Sequence, residues 1–150
     1  MNDNQFEKLS LHPHLLSSLS ELGYQRMTPI QEQCLPHVLA QRDIIAQAKT
    51  GSGKTAVFAI GLLTHIDFSS NRIQGLVLCP TRELADQVGN EIRRLAKFIP
   101  NVKVLTLCGG RPLRPQAASL EHGAHIVVGT PGRIDDHLNK RTINFHDLKM

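Results

Sequence analysis

The chain has 150 residues, of which 41% are hydrophobic and 20% are charged. This composition is ordinary for a globular protein with one packed core. Lysine and arginine outnumber aspartate and glutamate by 17 to 13, which gives a formal net charge of +4. That balance suits a polyanionic partner but does not demonstrate one, because many basic domains bind no nucleic acid.

The three cysteines, Cys34, Cys79 and Cys108, form no Cys-x-x-Cys pair, and their number is odd. A secreted disulfide framework is therefore disfavoured, and we expect three small core residues rather than metal ligands. The polar amino terminus lacks the apolar segment of a signal peptide, and no apolar run is long enough for a membrane span. These features predict a cytoplasmic protein without a membrane partner.

Apolar strands and amphipathic helices alternate along the chain. The pattern predicts helices at about 13–22, from 29 onward, 54–66, 83–98 and 132–138. It predicts buried strands at about 43–46, 76–79, 102–107 and 126–128, with a further strand opening at Leu148. This alternation is typical of an α/β fold, a parallel sheet with helices on both faces. Ligands of such sheets bind at the carboxyl ends of the strands.

A phosphate-binding loop is the strongest motif. It follows a predicted strand, opens a predicted helix, and reads Ala48-Lys49-Thr50-Gly51-Ser52-Gly53-Lys54-Thr55. Glycines let backbone amides turn toward phosphates, and the helix amino terminus adds about half a positive charge. Lys54 would reach the β- and γ-phosphates, and the Thr55 hydroxyl would bind Mg²⁺. Ala48 stands where the general pattern has glycine, which is acceptable if its φ is negative.

A second motif, residues 23–31, precedes the phosphate loop. Its Gln31 amide can donate to N7 and accept from N6 of adenine. Thr28 and Gln31 also have the spacing of a capping box, in which Gln31 would bond the start of its own helix. The position just ahead of a phosphate loop favours the adenine role over the cap.

Three polar segments follow three predicted strands. They read Pro80-Thr81-Arg82, Gly109-Gly110 and Thr130-Pro131-Gly132-Arg133. Arginines can pair with phosphate, hydroxyls can donate to it, and glycines let backbone amides approach it closely. Each segment alone is better explained as a helix cap, a turn or a loop. All of them in this order make coincidence improbable, and their residue types fit contacts to the phosphate and ribose of a nucleic acid, which carry little sequence information.

With these motifs in this order, the chain resembles the DEAD-box RNA helicases from Phe6 to about His137. The resemblance implies a RecA-like fold, ATP and Mg²⁺ as cofactors, and RNA as the partner. It implies an adenine contact for Gln31, stacking for Tyr24, and an accompanying upstream aromatic at Phe6. Local sequence at residues 47–50, 78–80 and 107–110 is similar to the DbpA type, whose members act on ribosomal RNA.

The resemblance also implies a domain organisation. Residues 1–22 would be a flank with the first helix, and residues 23–150 the first RecA-like domain, incomplete before its Asp-Glu-Ala-Asp motif. That tetrad does not occur in the sequence. We therefore expect the chain alone neither to hydrolyse ATP nor to unwind RNA, and the sheet to lack strands. The parent protein, with a second RecA-like domain, is expected to unwind short duplexes, with ribosomal RNA as the expected target during ribosome assembly.

Other polar residues are interpreted as surface. The histidine pairs His12/His14 and His122/His125 lack further ligands, and we expect them to be exposed. Asp135 and Asp136 are expected to be solvated. Two alternatives remain open: a P-loop kinase or switch protein, which would have no use for Gln31 or the strand-end arginines, and an RNA-binding module without catalysis.

Overall fold

The computed structural model describes residues 5–150, which form two compact units. Unit 1 contains residues 5–65 and 94–100, and unit 2 contains residues 66–93 and 101–150. In unit 1, a 3₁₀ turn at Phe6–Lys8 precedes three helices: α1 (Pro13–Glu21), α2 (Pro29–Leu39) and α3 (Lys54–His65). These bounds confirm the predicted helices.

Local sequence explains where the first two helices begin and end. Pro13 opens α1, where a missing N–H costs nothing, and the His12 ring accepts a hydrogen bond from the backbone N–H of His14 at 3.2 Å. Gly23 follows α1 with a φ of 80°, the left-handed conformation that favours glycine. In α2, Pro36 lies inside the helix, yet the helix continues to Leu39.

The core of unit 1 is built from leucine and isoleucine side chains of α1, α2 and α3. Five of these side chains have at most 1% of their surface exposed: Leu15, Leu19, Leu35, Ile60 and Leu62. Burying each such side chain contributes roughly 1.5–3 kcal/mol relative to exposure. This packing fixes α2 and α3, from which the polar residues described below extend.

The prediction of a buried strand at 43–46 is wrong. No strand in the described part of the chain includes these residues, and Ile45 is fully exposed while Ile44 is 38% exposed. An apolar run can form a parallel strand only where a neighbouring strand supplies its hydrogen-bond partners. The pattern detected the apolar residues correctly but could not detect the missing neighbour.

Unit 2 contains a parallel sheet of three strands, in the order β1-β3-β2. In chain order its elements are β1 (Gly75–Leu78), α4 (Arg82–Leu95), β2 (Val104–Leu107), α5 (Leu113–Glu121), β3 (Ile126–Gly129) and α6 (Pro131–Asn139). Leu78 and Leu107 both stand in register with Gly129. The carboxyl ends of all three strands therefore lie at one edge of the sheet.

Helices cover both faces of this sheet, as predicted. On one face, Val127 and Leu107 pack with Ile134 of α6 and Leu120 of α5. On the other face, α4 approaches so closely that a Cβ added to Gly89 would lie 2.6 Å from the Thr106 hydroxyl. The central strand β3 is buried along its whole length.

Helix α5 was not predicted. Pro112 is its N-cap residue and its first turn contains Pro115, so the sequence pattern indicates a loop rather than a helix. Proline is tolerated there because the first N–H groups of a helix have no intrahelical partner.

The expected strand at Leu148 is not formed, but the backbone of Lys149 and Met150 makes hydrogen bonds beside β1. The Lys149 N–H donates to the Gln74 carbonyl at 2.8 Å, and the Leu76 N–H donates to the Met150 carbonyl at 2.9 Å. These bonds lie along the edge of β1 that β3 leaves unpaired.

The three cysteines are buried and form no disulfide, which confirms them as core residues. Burial raises the pKa of the Cys79 and Cys108 thiols. No helix among residues 5–150 combines the length and apolar character needed to cross a lipid bilayer.

His125 is buried rather than exposed, which corrects the expectation for this residue. Its Nδ1 accepts a hydrogen bond from the Lys103 N–H at 3.0 Å, and its ring meets Phe68 edge to face at 5.2 Å between centroids. Burial lowers the pKa of His125, and the Lys103 charge lowers it further, although the carbonyls of Phe68 and Ser70 oppose the shift. The imidazole is therefore held neutral.

A lowered histidine pKa makes stability depend on pH. Above the ordinary value of 6.5, His125 is neutral in both states; as pH falls through that value, the unfolded chain binds the proton first, so stability is lost. We expect His125→Gln to reduce the loss of unfolding free energy between about pH 7.5 and 5.5, measured by denaturant titration. An unchanged pH slope would contradict this account.

Candidate functional site

The glycine-rich loop at residues 48–55 lies in unit 1 and runs into α3, as predicted. Gly51 and Gly53 have φ angles of 80° and 90°, which residues with a Cβ rarely adopt. Ala48 is not among the described residues with positive φ, so its Cβ is accommodated where the general pattern has glycine.

Lys54 folds back into this loop. Its ammonium donates to the Ala48 carbonyl at 2.5 Å and to the Lys49 carbonyl at 2.8 Å. The amino terminus of α3, where Thr55 is partly buried, adds its partial positive charge. Positive charge and the amino-terminal amides of a helix at one place make a site suited to an anion of several oxygens.

Thr28 and Gln31, at the start of α2, hold the loop from one side. The Thr28 hydroxyl donates to the Ser52 carbonyl at 2.7 Å, and the Gln31 amide donates to the Gly53 carbonyl at 3.2 Å. A Cβ at Gly53 would overlap the Gln31 amide. The loop and α2 are therefore joined by two side chains, one from each end of the segment 28–31.

Gln31 also caps its own helix. Its Oε1 accepts a hydrogen bond from the Thr28 N–H at 2.9 Å, which is the capping interaction left as an alternative by the sequence. The side chain is 2% exposed. Its contact with adenine stays a prediction.

Phe6 and Tyr24 lie together at a cavity of about 340 Å³ in unit 1. Their ring centroids are 5.9 Å apart, edge to face. Leu16, Leu19 and the polar residues around Gln25 complete the lining, whereas no residue of the loop 48–55 is part of it. The structure thus brings the two aromatic residues together, and separately joins Gln31 to the loop.

The strand-end segments of unit 2 lie along the common carboxyl edge of the sheet. Pro80 and Thr81 follow β1, Gly109 and Gly110 follow β2 after Cys108, and Thr130 follows β3. The Thr130 N–H donates to the Leu107 carbonyl at 3.2 Å, which ties the last two segments together. Exposed residues of the edge are Pro80, Thr81, Arg82, Gly110, Pro131 and Gly132.

Thr81 and Arg82 have local structural contacts. The Thr81 hydroxyl accepts from the Leu84 N–H at 3.2 Å and so caps α4, the alternative that the sequence left open. The Arg82 guanidinium lies against Gly110, where any Cβ would overlap it. Gly110 has a φ of 76°, which favours glycine, whereas the exposed Arg82 side chain could move away from an added Cβ.

Arg133 is placed differently from Arg82. Its side chain is 11% exposed, and its Nη1 donates to the Arg111 carbonyl at 2.7 Å and to the Gln116 Oε1 at 3.0 Å. Its Nε lies 3.4 Å from the Asp136 carboxylate without a hydrogen bond. Its predicted contact with phosphate stays a prediction, while its observed contacts are to the protein.

Two buried polar residues beside this edge were not among the predicted ligand contacts. Gln116 of α5 donates to the Cys108 carbonyl at 3.1 Å, and His137 of α6 lies 2.9 Å from the Gln116 Oε1. The burial of His137 could have been predicted from its spacing, because it follows the core residue Ile134 by three positions and so shares its face of α6.

Comparisons of the sequence with known proteins all identify the same family. The sequence pattern of the DEAD/DEAH box helicases matches residues 28–150. The chain is 59% identical over 138 residues to the ATP-dependent RNA helicase DbpA of Escherichia coli, covering 92% of this chain and 30% of that protein. It is 43% identical over 144 residues to the DEAD-box ATP-dependent RNA helicase CshA of Bacillus cereus, covering 96% and 27%.

Solved structures share the fold. A DEAD box protein from the hyperthermophile Methanococcus jannaschii superposes with a TM-score of 0.91 at 42% identity, over 97% of this chain and 39% of that one. A Dbp5 variant of S. cerevisiae bound to RNA and ADP BeF3 gives 0.85 at 27% identity, over 97% and 36%. The fold is thus RecA-like, and its sheet is incomplete.

The pattern covers most of the chain, and the relatives and the fold point the same way, although the chain spans about three-tenths of these relatives' length. Membership of this family removes the P-loop kinase alternative. The chain belongs to the DEAD/DEAH box helicase family.

Proposed function

We propose that this chain is the ATP- and RNA-binding part of an ATP-dependent RNA helicase that separates short RNA duplexes. The observation that carries the proposal is the loop at 48–55, which surrounds the Lys54 ammonium and is held by Thr28 and Gln31. A loop with an internal cation and a helix amino terminus behind it is suited to a triphosphate.

In this proposal, phosphate oxygens replace the carbonyls of Ala48 and Lys49 as the partners of the Lys54 ammonium. The remaining loop residues, Thr50, Gly51, Ser52 and Gly53, would offer backbone amides, although the Ser52 N–H donates to the Lys49 carbonyl at 3.2 Å in this structure. Thr55 would contribute its hydroxyl to Mg²⁺, which neutralises phosphate charge when bound. Among residues 5–150 no group of three histidine, cysteine or acidic side chains could hold a metal. The ion would therefore depend on Thr55, phosphates and water within this chain.

Adenine recognition is proposed for Gln31, with Phe6 and Tyr24 supplying the aromatic surface. A glutamine amide has two donor hydrogens and two acceptor lone pairs on its oxygen. Gln31 uses one hydrogen on the Gly53 carbonyl and one lone pair on the Thr28 N–H. One donor and one acceptor remain, which is the number that N7 and N6 of adenine require, so the two observed hydrogen bonds do not exhaust the capacity of the amide.

The carboxyl edge of the sheet in unit 2 is proposed to bind the RNA backbone. The exposed Arg82, with Thr81, Gly110 and Gly132, supports contacts to phosphate and ribose rather than to bases. The remaining edge residues in this proposal are Pro80, Gly109, Thr130, Pro131 and Arg133. One relative of the same fold was solved with RNA bound, which supports the same ligand class here.

The likeness to DbpA supports ribosomal RNA as the substrate, in ribosome assembly. Three buried, unpaired thiols support a reducing cytoplasm as the setting. A second RecA-like domain outside this chain would complete the ATP site.

In the whole protein, Lys54→Ala should lower RNA-stimulated ATP hydrolysis by about 100-fold or more, because it removes the ammonium that lies inside the loop, where the phosphates are proposed to bind. The matched control Lys140→Ala, at the exposed end of α6, should behave as wild type.

GTP should compete poorly with ATP, and Gln31→Glu should weaken this preference. Equal competition by GTP in the wild type would contradict the adenine assignment.

The chain alone should not turn over ATP. Phosphoryl transfer requires a carboxylate near Mg²⁺ and a group that positions water, and the sequence contains no Asp-Glu-Ala-Asp tetrad. Phosphate release by the purified chain should equal the buffer blank. Turnover that disappears in Lys54→Ala would show that the chain contains its own catalytic groups.

Arg82→Ala should weaken RNA binding by the whole protein and reduce the dependence of log affinity on log salt by about one phosphate contact. The control is Arg72→Ala, which also removes one positive charge but lies before the amino end of β1, in an exposed pair with Asp147. Equal effects of the two substitutions on affinity at fixed ionic strength would indicate general charge attraction instead of a defined edge.

A further inference from the structure

The turn at Gly109–Gly110 is held by two side chains, which bond to the backbone carbonyls on either side of it. The Gln116 amide donates to the carbonyl of Cys108, and the Arg133 guanidinium donates to the carbonyl of Arg111. Neither glycine has a side chain of its own with which to anchor the turn. These two contacts from α5 and α6 therefore constrain the position of its backbone amides.

Gln116 and Arg133 are in turn connected. The Gln116 Oε1 accepts from Arg133 at 3.0 Å and lies 2.9 Å from the Nε2 of His137. Because the Gln116 nitrogen donates to Cys108, its oxygen must face both donors. His137 therefore carries its proton on Nε2, and its Nδ1 lies 2.7 Å from the Thr142 hydroxyl, which is also 3.2 Å from the His137 carbonyl.

His137 has no exposed surface, so water cannot replace these bonds. Burial lowers the pKa of His137, and the charge of Arg133 lowers it further against the effect of Asp136. The ring thus stays neutral at pH 7, with one donor and one acceptor. A neutral Nε2–H imidazole is the form that fixes the Gln116 amide in the orientation that holds Cys108.

We propose that His137 is a positioning residue for RNA binding, which acts through Gln116 and Arg133 to hold the Gly109–Gly110 turn at the sheet edge. The proposal rests on the proposed role of that edge as an RNA-backbone surface. His137 itself touches no ligand in this scheme. Its contribution is to keep the backbone amides of the turn in place before RNA arrives, so that no ordering cost is added on binding.

The test compares two substitutions at His137 with a core substitution on the same helix. His137→Phe keeps a ring of similar size but removes the donor to Gln116. His137→Gln places an amide nitrogen near the original Nε2 and so restores a donor. The control Ile134→Val removes one buried methyl group from α6 without touching the polar contacts.

Two quantities are measured at a temperature where every variant is folded: affinity for a short single-stranded oligouridine RNA, and amide hydrogen exchange at Gly109, Gly110 and Arg111. Loss of one buried hydrogen bond should weaken RNA binding about fivefold in His137→Phe and speed exchange in the turn by a similar factor. His137→Gln should recover most of both losses, and Ile134→Val should change neither.

Unchanged exchange in His137→Phe, or equal changes in Ile134→Val, would overturn the positioning role. Faster exchange in His137→Phe without any RNA binding by the wild type would instead reject the RNA-binding edge while supporting the hold on the turn. Faster exchange with unaltered RNA affinity would show that the turn does not take part in binding, and would also overturn the proposal.

Discussion

Glycine-rich turns must leave their amides free for a ligand, and they have no side chains with which to fix themselves. Their carbonyls must therefore be held by side chains from neighbouring elements. In unit 1, Thr28, Gln31 and Lys54 bond the carbonyls of the phosphate loop. In unit 2, Gln116 and Arg133 bond the carbonyls on either side of Gly109–Gly110. The same requirement organises both candidate surfaces.

This requirement explains why several polar residues are buried. Gln31, Gln116 and His137 are each less than a tenth exposed, and each has its polar atoms bonded to backbone or to another polar side chain. An isolated buried amide would cost about 1–3 kcal/mol, so such residues are stable in a core only as part of a satisfied set. Substituting one member affects the turn that the set holds as well as the packing.

Much of the fold followed from sequence patterns. The helices from Pro13, Pro29 and Lys54 have strong start signals, and the three strands of unit 2 are short apolar runs followed by polar turns. Other features depended on information outside the local pattern. Residues 43–46 have the composition of a strand but no pairing partner, and α5 is hidden by prolines that its first turn tolerates. Burial of His125 and His137 depends on partners distant in sequence, Lys103 and Gln116.

The ammonium of Lys54 already fills the concave side of its loop, bonded to the carbonyls of Ala48 and Lys49. An incoming anion must therefore offer more than attraction to a positive charge, since it has to replace two good acceptors at once. A lone inorganic phosphate brings few oxygens to that exchange, whereas a chain of linked phosphates can also reach the surrounding amides. If the loop binds phosphates as proposed, this exchange would favour polyphosphates over small single anions.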